Sequence, residues 1–128
     1  MRIWGGKTMK AKPLDKRLLI HKIKWIKKRL ATDTSEGVVI DKVRLAWKRY
    51  YTPLAQGQQT IEGNWILYWS PEYSGKDPAT NEMPAWSIGD TIEFISAPLF
   101  PKVCTITSII PCPDINPEQT HHWELTLV

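Results

Sequence analysis

Between Lys42 and Lys48, side chains of opposite character follow one another, with Ala46 the one exception. Val39, Asp41, Val43, Leu45 and Trp47 alternate with Val38, Ile40, Lys42, Arg44, Ala46 and Lys48. From position 42 the alternation is apolar against cationic, with one Ala. Successive side chains of a strand point to opposite faces, so this period of two predicts one face in a core and one face carrying positive charge.

The same period recurs downstream. Trp65, Leu67 and Trp69, with Ile66 and Tyr68 between them, predict a strand covered on both faces. Ile92 and Phe94 alternate with Thr91 and Glu93. The stretch 102–110 is β-branched almost throughout. His122, Glu124 and Thr126 alternate with Trp123, Leu125 and Leu127. Between these runs stand turn and loop signals. Residues 32–37 are a polar turn cluster, and Tyr51 to Gly63 reads as a long hairpin loop. Residues 70–87 are a long loop with Pro71, Pro78 and Pro84. Ile88-Gly89-Asp90 is a tight turn, 97–101 a short Pro-bounded turn, and 111–119 another Pro-rich loop. No strand–helix–strand alternation appears. The pattern predicts a mainly β fold, a small antiparallel barrel or sandwich.

One segment reads two ways. Leu19, Ile23, Ile26 and Leu30 have helical spacing, and Asp15 stands where a cap would. Yet Leu19, His21, Ile23 and Trp25 also alternate with Lys22 and Lys24, as a half-exposed strand would. Periodicity alone leans to the helix. Residues 1–13 read as a flexible basic arm, and 14–128 as one domain.

A chain of 128 residues and 14.8 kDa is too small for a multi-domain enzyme or a TIM barrel, yet long enough for a core without staples. No phosphate-binding Gly loop, nucleophile elbow or HExxH is present. Cys104 lies inside an apolar strand, where a buried thiol is inert, so its combination with His122 does not suggest a nucleophile. His121-His122 beside Cys112 and Asp114 invites a metal reading. Adjacent strand residues point to opposite faces, so the pair is expected not to share an ion. The expectation is no enzyme, no metal and no cofactor. Two cysteines without CxxC are expected to be reduced thiols. No apolar run reaches the ~20 residues of a membrane span, and the first residues lack a signal-like apolar region.

Charge is divided along the chain. Residues 1–50 hold 15 Lys and Arg against four acids, 15 − 4 = +11, and residues 51–128 hold two against nine, 2 − 9 = −7. The two halves present opposite fields to a partner. Lys42, Arg44, Lys48 and Arg49 form a candidate stripe facing DNA or a neighbouring subunit; the plain alternative is a solvated outer face. Seven Trp are expected to anchor a core or an interface.

Asp15–Trp25, Val39–Leu45, Asn64–Trp69 and Ile88–Val128 together resemble the small minor capsid, or head–tail connector, proteins of tailed phages and defective prophages. The resemblance rests on the Gly-Asp turn leading into a strand, a short turn, a β-branched strand, a Pro-containing loop and the terminal His121-His122-Trp123-Glu124-Leu125. It implies a barrel of about six strands, including a strand across residues 18–26, with little helix. It implies a virion neck protein assembled in the host cytoplasm as a homo-oligomeric ring of ~6 or ~12 copies. Its expected partners are a portal or adaptor ring, a tail completion protein and DNA passing through the lumen, with no membrane. The loop Thr52, Pro53, Leu54, Ala55, Gln56, Gly57, Gln58 and Gln59 then corresponds to a gate across the lumen. The alternative function is a free nucleic-acid-binding barrel.

Overall fold

A computed structural model describes residues 14–28, 37–53, 59–96, 102–115 and 118–128, with backbone alone over 50–53 and 59–62. The chain forms a closed antiparallel barrel of six strands in the order β1-β2-β3-β6-β5-β4. The strands are β1 (His21–Ile26), β2 (Val38–Pro53), β3 (Gln59–Trp69), β4 (Thr91–Phe94), β5 (Lys102–Pro113) and β6 (Thr120–Leu127). Closure leaves no free sheet edge in the barrel wall. The basic arm at residues 1–13, the turn cluster 32–36 and the turn 97–101 lie outside the described residues.

The helical spacing of Leu19, Ile23 and Ile26 does not produce a long helix. Lys16–Leu18 form one turn of 3-10 helix capped by Asp15, and residues 21–26 are strand. The β alternation wins because β1 closes the barrel between β2 and β4, burying His21, Ile23 and Trp25 on one face.

The regular phase expected from Val39 to Trp47 is also corrected. Asp41 and Lys42 stand opposite Lys22 alone, because the register steps between the pairs His21–Val43 and Ile23–Ile40. Lys42 takes a positive φ of 53° at this bulge. The extra residue resets which face points inward. Ile40 is therefore buried and Val39 exposed before the bulge, whereas Val43 and Leu45 are buried after it. The loop after β3 secures the bulge. Gly75 N donates to Asp41 O at 2.9 Å, and Ser74 Oγ donates to Lys42 O at 2.6 Å.

Side chains fill the barrel interior. Ile23, Ile40, Val43, Leu67, Ile92, Ile106, Leu125 and Leu127 are fully buried. Aromatic rings close both ends. Trp86 meets Trp25 and Trp69 edge-on at 6.4 and 6.2 Å at one end. Trp65 meets Trp47 at 5.5 Å and Phe94 at 5.3 Å at the other. Rings in such edge-to-face pairs contribute about 0.5–1.5 kcal/mol beyond their buried area.

The tight turn at Ile88–Asp90 joins the loop to the wall. Asp90 is fully buried. Its Oδ2 accepts from Trp25 Nε1 at 2.9 Å and Ser87 N at 2.8 Å, and its Oδ1 accepts from Lys28 N at 2.7 Å. Gly89 supplies the positive φ of 98° that the turn requires.

Candidate functional site

Two hairpins outrun the barrel, at opposite ends. β3 is flanked by β6 only from Trp65 to Trp69. The β2–β3 ladder continues past Trp47–Trp65 for six more pairs, from Lys48–Asn64 to Pro53–Gln59. At about 3.4 Å per residue this is an arm of ~20 Å. The expected loop Tyr51–Gly63 is thus mostly strand. Its Tyr, Thr and Ile residues suit a ladder, which runs to Pro53 on β2 and starts at Gln59 on β3. Of the expected gate, Thr52, Pro53 and Gln59 are ladder residues; Leu54, Ala55, Gln56, Gly57 and Gln58 lie outside the described residues. At the base of the arm Trp47 is half exposed and lies on Gly63, where a Cβ would fall 2.7 Å from Cε2 of Trp47.

The second projection is β5–β6. The loop expected at 111–119 starts later, because β5 runs to Pro113, pairing with Thr120. Residues 120–122 precede the first β3–β6 pair, Trp69–Trp123, so they extend from the opposite end of the barrel.

The basic stripe is divided by the register. Arg44 and Lys48 share the outer face of β2, since Leu45 between them points into the core. Arg44 is half-buried beside its cross-strand partner Tyr68, and both line an apolar hollow of about 170 Å³ with Leu14, Leu18 and Leu19. Lys42 is exposed at the bulge. Arg49 is exposed on the other face of the arm, opposite Gly63. The charge split survives folding as a wall. On the outer face of the adjacent strands β1 and β2, Lys22, Lys24, Lys42 and Arg44 stand against Asp41, and Lys48 continues that face onto the arm.

The Trp residues are mainly core. Trp25, Trp69 and Trp86 are buried, Trp65 and Trp123 pack against the core, and Trp47 is half exposed. Apolar side chains remain exposed elsewhere, among them Ile20, Val39, Ile88, Val103 and Ile110.

On the outer face of β5–β6, three side chains converge. Cys112 and His122 are cross-strand partners, and Glu124 lies two residues along β6 on the same face. Glu124 Oε2 accepts from Cys112 Sγ at 2.9 Å and contacts His122 Nε2 at 3.0 Å. The adjacent histidines do meet, contrary to the expectation from strand alternation. The register steps by one residue between Cys112–His122 and Pro113–Thr120, leaving His121 as the extra residue. Its Nδ1 lies 2.8 Å from Nδ1 of His122. Burial, then the hydrogen bond and charge of Glu124, push the Cys112 thiol up to about 11. The hydrogen bond from Cys112, aided by His122 and Lys48, holds Glu124 below the usual carboxylate range against the opposing effect of burial. Asp114 belongs to the loop that follows β5 and is not one of these three. Cys104 is a buried thiol, and burial raises its pKa. Of the set considered from the sequence, the structure brings Cys112 and His122 together through the β5–β6 register, and Glu124, which that set lacked, joins them on the same face of β6.

No family model matches the chain, and neither a curated protein nor a solved structure matches it. Among the described residues no helix is long and apolar enough to cross a membrane.

Proposed function

We propose that this chain is a structural subunit of a phage-type virion neck. In this reading ~6 or ~12 copies assemble as a ring on a portal or adaptor ring. The β2–β3 arm reaches into the lumen and retains packaged DNA, and the opposite end offers a surface to a tail completion protein. The observation that carries the reading is the arm itself, six ladder pairs beyond the last strand that could support it. A lone two-stranded ribbon is marginal in water, so an arm of this length gains most of its order from contacts with other copies.

Three further features support it. The barrel interior is filled, so a DNA channel belongs to the space between subunits rather than to one subunit. A basic wall at β1–β2 and an acidic remainder favour head-to-tail association, in which unlike surfaces meet. Exposed Val39, Ile88, Val103 and Ile110 supply apolar area for such contacts. Tyr68 beside Arg44 favours a free nucleic-acid-binding barrel, where a ring and a cation would serve base and phosphate.

The arm is tested by replacing residues 52–60 with an Asn-Gly turn, which ends the hairpin at the Tyr51–Ile61 pair. The shortened subunit should fold and enter particles that then lose packaged DNA. Particles that retain their DNA as well as the parent refute the gate.

A further inference from the structure

We propose that Cys112, His122 and Glu124 form a binding site for one divalent cation of the zinc class, with His121 as the outer partner that orients His122.

The donor set points to that class. A thiolate, an imidazole and a carboxylate combine the ligands that zinc accepts, and a thiolate disfavours magnesium and calcium. The candidate atoms Cys112 Sγ, His122 Nε2 and Glu124 Oε2 all lie within 4.8 Å of one another. Bond lengths of about 2.0–2.3 Å at tetrahedral angles place ligand atoms ~3.3–3.6 Å apart. The two short separations here, 2.9 and 3.0 Å, need open by only about half an ångström. The three side chains are half-buried on two paired strands, so their directions are set by the ladder. Three protein ligands leave a fourth position for water or another donor.

His121 supplies what a ligating imidazole needs behind it. With Nε2 of His122 on the metal, Nδ1–H of His122 donates to Nδ1 of His121 at the existing 2.8 Å. Tyr68, 5.9 Å from the His122 ring, flanks the same imidazole. Without metal, Glu124 Oε2 faces both Cys112 and His122, so hydrogens hold the three groups where a cation would hold them. Binding forms a metal–sulfur bond and breaks the S–H bond. That proton passes to the buffer, and nothing is oxidised or reduced. Lys48 acts electrostatically on both Cys112 and Glu124, opposing a cation while favouring the thiolate.

The test uses the full chain, freed of metal, titrated with zinc chloride by calorimetry and with cobalt(II) chloride by absorption. One ion per chain is expected, with a sulfur-to-cobalt charge-transfer band and the visible bands of tetrahedral cobalt. Cys112→Ser should abolish the charge-transfer band and weaken zinc more than ~100-fold, and His121→Gln should weaken it ~10–100-fold. Circular dichroism checks that the variants fold. Alkylation of the parent protein needs no variant: zinc should protect Cys112, with buried Cys104 as the internal reference. Absence of the charge-transfer band, undiminished zinc binding in Cys112→Ser, or equal alkylation of Cys112 with and without zinc each overturns the site.

Discussion

Removing the Asp90 carboxylate should destabilise the barrel more than any other single polar change among the described residues. Asp90 is fully buried and accepts from Trp25 Nε1, Ser87 N and Lys28 N at 2.7–2.9 Å. Its backbone also joins the wall, since Ile106 N donates to Asp90 O at 2.9 Å. A hydrogen bond to a charged acceptor contributes about 1.5–3 kcal/mol, and donors left buried and unpaired add their desolvation cost. The three bonds share one acceptor and are not additive, so Asp90→Ala should cost about 4–5 kcal/mol. Asp90→Asn keeps the shape but has one acceptor oxygen. With that oxygen serving Trp25 and Ser87, its NH2 group faces Lys28 N–H, at a cost of about 2–3 kcal/mol. Trp25→Phe should cost about 2 kcal/mol, and its effect should shrink in the Asp90→Ala background. Trp86→Phe is the control, because the buried Trp86 Nε1 has no hydrogen-bond partner. It should stay within about 1 kcal/mol of the parent. Urea unfolding followed by far-ultraviolet circular dichroism reads these values, and Asp90→Ala should move the midpoint by on the order of 2 M. An Asp90→Ala shift worth less than about 0.5 kcal/mol, or strict additivity with Trp25→Phe, would refute the hub.

Two further predictions concern the wall and the arm. Nδ1 of buried His21 accepts from Leu45 N at 3.0 Å, and burial, then the charge of Arg44, lower its pKa from the ordinary 6.5. The unfolded chain therefore takes up the proton first as pH falls. The contribution of His21 is fully present above pH 6.5 and is lost as pH drops below that value towards the lowered folded one. The slope is at most about 1.4 kcal/mol per pH unit, and His21→Gln should flatten it in urea titrations between about pH 7.5 and 5.5; an unchanged slope contradicts the assignment. Gly63→Ala should displace Trp47 from the base of the arm and destabilise by about 1 kcal/mol, with faster amide exchange at Lys48 and Asn64. A variant as stable and as protected as the parent contradicts the close packing of Trp47 on Gly63.

The barrel was legible wherever one face stayed inward for several residues. Val43 with Leu45, Ile92 with Phe94, and Leu125 with Leu127 all alternate as the strands do. It was not legible where backbone geometry overrides local pattern. The bulge at Asp41–Lys42 exchanges the roles of Val39 and Ile40, and only the pairing with β1 and the clamp from Ser74 and Gly75 reveal it. Pro53 and Gly63 read as loop residues because each weakens a strand, yet the ladder carries through both. Residues 18–26 satisfy both periods, and closure of the barrel decides between them. The grouping of Cys112, His122 and Glu124 needs a cross-strand register that no local spacing encodes. The proposed ring would be a property of several copies, and the sequence carries only features that suit it: opposed charge in its two halves and seven Trp.

The most direct measurement of the proposed neck role is electron microscopy of the purified chain mixed with its portal complex, with DNA-binding titrations across salt alongside. The connector role predicts ring density of ~6 or ~12 copies below the portal, with thin arms pointing into the lumen and weak DNA binding by the free chain. A monomer that leaves the portal bare and binds DNA tightly, with a steep salt dependence, would contradict it and establish the free nucleic-acid-binding barrel instead.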